Sequence, residues 1–240
     1  MSSLLSIIVP VYNEGRTIGA TLDRLLTLPL PLDLELIVVN DGSTDDTRAV
    51  IDRRTRDPRV SITPLPIRCG QGHAVRIGLK LSNGTIATIR EPGRDLEAAE
   101  LAALVQPILD GRAGVVHGSR FLTPGGALPV LSRSGNRALA WLTNALYGSA
   151  LTDVTPRARV MRGDIARDLE LRSNRFEIEA EITARLLLAG HAIVEVPAGA
   201  SAAGADGWTS RCVDGFDRLR VLIALRLAAA ASPRQRSLIG

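Results

Sequence analysis

The chain has 240 residues, enough for one sizeable domain, and 45% of them are hydrophobic, so a buried core is expected rather than a disordered tail. A formal charge of +4, 3% aromatic residues and no clustered basic run argue against nucleic acid as a partner. Cys69 and Cys212 show no CxxC or His/Cys spacing, which points to neither a zinc site nor a disulfide framework and fits a reducing cytoplasm. No basic region precedes the apolar stretch Leu4 to Val11, and no segment reaches the roughly 18 to 20 apolar residues of a membrane span, so neither a secreted nor an integral protein is expected. Lys80 is the only lysine; the arginine bias reflects either composition or a surface suited to phosphates.

In chain order, Ser6 to Pro10 is a β-branched run closed by proline, and Leu34 to Asn40 is a second, closed by Asp41-Gly42. Between them Ile18, Leu22, Leu25 and Leu26 recur at helical spacing within Thr17 to Leu28. Asp45 to Arg54 reads as a helix, Val60 to Pro64 as a strand, Gly72 to Leu81 as a helix, Thr85 to Ile89 as a strand, Leu96 to Leu109 as a helix, and Val115 to His117 as a strand. This alternation predicts an α/β fold: a mostly parallel sheet covered by helices on both faces, with ligands at the carboxyl ends of the strands.

The second half predicts helices over Ser134 to Tyr147, Ile178 to Ala189 and Phe216 to Ala231, and a strand over Ala192 to Pro197. Ala198 to Thr209, rich in Gly, Ala and Ser, reads as a mobile loop carrying Trp208, whereas Trp141 sits at helical spacing and is expected in the core. The last helix interleaves Leu219, Val221, Leu222, Leu225 and Leu227 with Arg218, Arg220 and Arg226, a pattern that either packs on the core or lies on an anionic membrane surface. Residues 1–240 are read as a single domain, the second half completing the first.

Two strand ends carry the chemistry. Tyr12, Asn13 and Glu14 follow the first strand, and Asn40 to Asp45 follow the second, where an acid can accept hydrogen bonds from a base or ribose and Ser43 or Asp45 can cap the next helix. The segments Ile8-Val9-Pro10-Val11-Tyr12-Asn13-Glu14 and Val39-Asn40-Asp41-Gly42-Ser43-Thr44-Asp45 resemble the start of the inverting family 2 glycosyltransferases, whose fold is named GT-A. Val116 to Phe121, Gly135-Asn136-Arg137, Leu151-Thr152-Asp153 and Arg175 to Ile182 narrow the resemblance to dolichol- and polyprenyl-phosphate mannosyltransferases, over nearly the whole chain.

The resemblance implies a GT-A-like three-layer α/β/α fold, a nucleotide-sugar donor, Mg²⁺ or Mn²⁺ on its diphosphate, and a polyprenyl phosphate that attacks the anomeric carbon with inversion. It implies a nucleotide site of Pro10, Tyr12, Asn13, Glu14, Asp41 and Gln71, and phosphate or acceptor contacts from Arg120, Arg133 and Glu179. Glu91, Arg120 and Asp153 would be catalytic, and Glu91 with Asp95 would hold the metal. The protein is then expected in the cytoplasm, peripheral on the inner face of the membrane. Four places depart from the family pattern, one of them the loop Ala203 to Thr209, which lacks the usual basic pair. Glu91-Pro92-Gly93 stands where the family has Asp-X-Asp, Gln71 stands where it usually has lysine, and Thr155-Pro156-Arg157-Ala158-Arg159 replaces a more aromatic, acidic stretch. A homologue that binds nucleotide or a partner without metal-dependent transfer is the rival expectation. A nucleotidyltransferase is a third, but its glycine-rich, lysine-bearing start is absent.

Overall fold

The computed structural model describes residues 3–92, 98–123, 130–156, 158–198 and 208–231, without the side chains of 130–133 and 208–214. The first half alternates as expected: β1 (Leu4–Val11), α1 (Ile18–Leu26), β2 (Asp33–Asn40), α2 (Thr47–Asp52), β3 (Val60–Pro64), α3 (Gln71–Leu81), β4 (Ile86–Ile89), α4 (Ala98–Leu109) and β5 (Val115–Ser119). The second half holds α5 (Val130–Tyr147), β6 (Ala158–Arg162), α6 (Gly163–Asp168), α7 (Ile178–Leu188), β7 (Ile193–Pro197) and α8 (Trp208–Ala231).

The strands form one sheet in the order β3-β2-β1-β4-β6-β5-β7. Every pairing is parallel except those of β6, which runs antiparallel to both β4 and β5. Both faces are covered, because side chains alternate along a strand. Leu5, Ile7, Val9 and Val11 of β1 pack with Leu22 of α1, Ile51 of α2 and Leu101 of α4. Ile8 faces the other way, with Val75 of α3, Ile165 of α6, and Ile178 and Ile182 of α7. Three layers result, as the fold class requires.

The strand β6 and the short helix α6 were not visible in the sequence. Ala-Arg-Val-Met-Arg has no clean alternation and two arginines, so it does not read as a buried strand. It is nevertheless buried from Ala158 to Met161, because neighbours flank it on both edges and Arg159 finds polar partners inside.

Trp141 is a correction. It is 72% exposed, because α5 turns Leu139, Ala140, Thr143 and Tyr147 inward, and a residue two positions from Thr143 lies about 200° around the helix from it. The predicted loop is corrected at its end, since Trp208 and Thr209 belong to α8, while 199–207 lie outside the described residues. Helix α8 buries Leu222 against Ala180 and Ala184 of α7 and leaves a stripe of Phe216, Ile223 and Leu227 exposed at 75%, 38% and 64%.

Candidate functional site

Parallel strands deliver their carboxyl ends to one edge of the sheet, and an antiparallel strand begins where they end. That geometry gathers the loops after β1, β2, β4 and β5 with the segment before β6.

The loops after β1 and β2 interlock. Asn13, at a positive φ of 55°, donates its N–H to Ser43 Oγ at 3.0 Å, and its Oδ1 accepts the Thr44 N–H at 2.9 Å. The Glu14 N–H donates to Thr47 Oγ1, and the Gly15 N–H to Asp45, whose carboxylate also takes the Thr47 N–H in the first turn of α2. Thr47 holds the Asp45 carboxyl below its usual range. The Glu14 carboxylate accepts the Thr17 hydroxyl. Pro10 is buried within β1, opposite Val39 of β2. Above this pair of loops the Arg68 guanidinium lies 4.0 Å from the centre of the Tyr12 ring, a cation–π contact.

Asp41 is 2% exposed and spends both carboxylate oxygens on the loop before α3: Oδ1 accepts the Cys69 N–H at 2.7 Å and Oδ2 the Gly70 N–H at 2.8 Å. Gly70 has a φ of +104°, and a Cβ there would meet the Asn174 carbonyl oxygen at 2.2 Å. That carbonyl accepts the Gly72 N–H at 2.8 Å, so the segment before α7 roofs the start of α3. Glu181 fixes the roof by accepting the N–H groups of Arg172 and Ser173. Burial pushes the Glu181 carboxyl up, but these donors and Arg185 prevail and hold it below its usual range.

Gln71, in the first turn of α3, donates its side-chain amide to Glu91 Oε1 just past β4. A divalent cation takes six or more oxygen ligands, typically with several carboxylates. Among the described residues no group of three or more His, Cys, Asp or Glu forms such a set. Glu91 is the sole described carboxylate of the Glu91-Pro92-Gly93 motif, and it is already engaged by Gln71; the described residues alone do not fit the cation. Asp95 lies outside the described residues.

On the other side of the edge Arg120, just after β5, forms a two-pronged ion pair with Asp153: Nε to Oδ2 at 2.8 Å and Nη2 to Oδ1 at 2.9 Å. Nη2 also donates to the Thr155 carbonyl at 2.7 Å. Asp153 is fully buried and the Arg120 side chain 21% exposed, so Arg120 alone of the two reaches solvent. Asp153 therefore lies beneath Arg120 rather than at the surface. Beneath them, Arg159 of β6 donates to His117 Nε2 at 2.9 Å, to Thr183 Oγ1 at 2.9 Å and to Glu179 Oε2 at 3.3 Å. Burial first, and then the Arg159 charge, hold His117 well below its ordinary value. Arg133 falls in the first turn of α5, and its side chain lies outside the described residues.

The structure thus groups Tyr12, Asn13, Glu14, Asp41, Gln71 and Glu91 along one half of the edge and joins Arg120 to Asp153 in the other. Glu179 meets Arg159 rather than Arg120. Sequence reasoning missed Arg68, Arg159, Glu181 and Glu195. A lone acid in the β7 run Val-Glu-Val was a signal for the last, and Glu181 and Arg159 lie in segments singled out above without a role of their own; Arg68 carried no signal.

A model of the glycosyl transferase family 2 matches residues 6–169. A dolichyl-phosphate hexose transferase of Haloferax volcanii is 28% identical over 196 residues, 80% of this chain and 81% of that one. A polyprenol monophosphomannose synthase of Mycolicibacterium smegmatis is 27% identical over 206 residues, 80% and 75% of the two chains. In fold, the chain is similar to glucosyl-3-phosphoglycerate synthase of Mycobacterium tuberculosis, solved with Mn²⁺, UDP-glucose and phosphoglyceric acid. The TM-score is 0.74 at 19% identity, covering 93% of this chain and 80% of that one.

Proposed function

Because the chain belongs to glycosyl transferase family 2, we propose that it moves a sugar of the mannose or glucose type from a nucleotide-sugar to a polyprenyl phosphate, with inversion. The observation that supports this reading is one sheet edge whose first half holds the interlocked loops of Asn13 and Asp41 and whose second half carries the anchored guanidinium of Arg120. The two prenyl-phosphate relatives support the acceptor; the phosphoglyceric acid bound by the structural neighbour shares its phosphate.

In this reading the base stacks near Tyr12 and the Asp41-held loop shapes the nucleoside pocket. Arg120 faces phosphate, with Arg133 as a second contact, and Asp153 orients Arg120 from below. An acceptor phosphate oxygen forms the new bond to the anomeric carbon while the bond to the donor diphosphate breaks, its electrons leaving with the nucleoside diphosphate. The attacking oxygen is already anionic, so positioning and charge neutralisation carry more of the work than proton removal. A divalent cation, were one held there, would add neutralisation of the leaving diphosphate. Asp95 with Glu91 is the proposed pair for it, and no step above depends on it.

The rival reading, a homologue that binds nucleotide without metal-dependent transfer, is favoured by the engagement of Glu91 with Gln71. No helix among the described residues is long and apolar enough to cross a membrane. The exposed α8 stripe beside Arg220 fits peripheral attachment on the cytoplasmic face, where a prenyl phosphate would be met. Calorimetric titration with GDP-mannose and UDP-glucose, each with and without Mn²⁺, followed by transfer assays on a polyprenyl phosphate and on 3-phosphoglycerate, tests the proposal. Product on the prenyl phosphate supports it. Product on 3-phosphoglycerate alone overturns the acceptor, and nucleotide binding without any product favours the rival.

A further inference from the structure

Glu195 of β7 has no role in the reading above, yet its carboxylate accepts three hydrogen bonds from the segment that carries Asp153. Oε2 accepts the Thr152 N–H at 2.8 Å and the Thr152 hydroxyl at 3.0 Å, and Oε1 accepts the Asp153 N–H at 2.9 Å. The Thr152 hydroxyl has a single proton, and it goes to the carboxylate. The contact of 2.6 Å between Thr152 Oγ1 and Ser119 Oγ is therefore donated by Ser119. Ser119 Oγ in turn accepts the Phe121 N–H at 3.2 Å. The donors run in one direction: Phe121 N–H to Ser119, Ser119 to Thr152, Thr152 to Glu195.

This chain brackets Arg120. Ser119 and Phe121 are its two sequence neighbours, and both are tied to Glu195 through hydroxyls. The guanidinium itself is tied to the same carboxylate through Asp153, whose backbone N–H Glu195 holds and whose side chain grips Nε and Nη2. One carboxylate thus fixes the backbone on both sides of Arg120 and the partner of its side chain. Hydrogen bonds aligned head to tail polarise one another and rigidify the groups they join.

We propose that Glu195 is a positioning residue for sugar transfer, acting through Thr152 and Asp153 to hold the Arg120 guanidinium where it meets phosphate; this rests on the phosphate-facing role of Arg120 proposed above. Glu195→Gln tests it, because both carboxylate oxygens accept and an amide can satisfy one side only. The variant is expected to lower kcat for transfer to a polyprenyl phosphate about ten- to a hundredfold, the scale of a misplaced catalytic group. The nucleotide Kd should stay within about twofold, since the nucleotide half of the edge shares no bond with Glu195.

The decisive arm is a cycle with Arg120→Ala. If Glu195 acts through Arg120, adding Glu195→Gln to Arg120→Ala costs nothing further, whereas multiplying losses, or an unchanged kcat in the single variant, overturn the proposal. Should Glu195→Gln fail to fold, Thr152→Val breaks the hydroxyl chain, leaves the ion pair, and enters the same cycle with the same two outcomes. Exchange of the Arg120 Nε–H, followed by ¹⁵N NMR, separates this inference from the function it rests on. If the unaltered protein forms no product, the proposed function fails, while slow exchange in that protein and fast exchange in Glu195→Gln still support the clamp; equal rates overturn it.

Discussion

Replacing Asp41 by asparagine keeps the shape of the side chain and removes one of its two acceptors. Both oxygens of Asp41 are in use, at 2.7 and 2.8 Å from the N–H groups of Cys69 and Gly70, in a residue only 2% exposed. In the variant one of these N–H groups faces an amide NH₂. Losing one hydrogen bond to a carboxylate and leaving a buried donor unmet costs about 2 to 4 kcal/mol. For a chain of this size that is a fall of roughly 5 to 15 °C in melting midpoint. The bond lost is the one that seats the loop before α3, so nucleotide affinity should fall at least about tenfold, the equivalent of about 1.4 kcal/mol. Urea unfolding measures the first quantity and calorimetric titration of GDP and UDP the second. Unchanged stability would refute the bonding of Asp41. Lowered stability with undiminished nucleotide affinity would refute the placing of the nucleotide against this loop.

Further outcomes follow from other residues. His117 is buried with its pKa well below 6.5, so the unfolded chain binds a proton that the native chain does not. Stability is present above about pH 6.5 and is lost as pH falls, by up to about 1.4 kcal/mol per unit, and the difference in urea unfolding between the native protein and His117→Gln should show that slope. Tyr147 donates its hydroxyl to the Leu222 carbonyl, and burial raises its pKa to about 12. An unfolded tyrosine ionises near pH 10, so this contribution fades between about pH 10 and 12, and Tyr147→Phe should lose about 1 kcal/mol at neutral pH and abolish the late step in the ultraviolet titration. Gly70→Ala places a Cβ against the Asn174 carbonyl at a positive φ, and should cost at least about 1 to 2 kcal/mol in thermal unfolding. Glutamates at Phe216 and Leu227 together should abolish co-sedimentation with vesicles containing about 30% anionic lipid while leaving the melting midpoint within about 2 °C, since both side chains are exposed.

The sequence was legible where one physical signal dominated. Ile7, Ile8 and Val9, or Ile37, Val38 and Val39, are buried on both faces and announce parallel strands by apolar continuity alone. Asn13 and Asp41 could be located because they follow such strands. Reading failed where burial rests on polar partners distant in sequence. Arg159 looks like a surface residue until His117, Glu179 and Thr183 enclose it, and β6 was lost with it. Glu195 reaches Thr152 across 43 positions, a distance no local pattern encodes. Trp141 was misread for the opposite reason, since helical periodicity identifies a face but not which face is covered.

The insertion of β6 between β4 and β5 sets an order for biogenesis. Strands are made from the amino terminus, and β3, β2, β1 and β4 can pair as soon as Ile89 is available. The outer edge of β4 then stays open, and β5 has no partner, until residues 158–162 arrive some seventy positions later, about four to fourteen seconds at cellular rates of synthesis. Through that interval the nascent chain presents an unpaired, apolar strand edge of the kind that recruits chaperones or a second copy of itself. Truncation before Ala158 should therefore yield an aggregating fragment rather than a smaller nucleotide-binding protein, and a slow codon run placed between β5 and β6 should lower soluble yield more than the same run placed after β7.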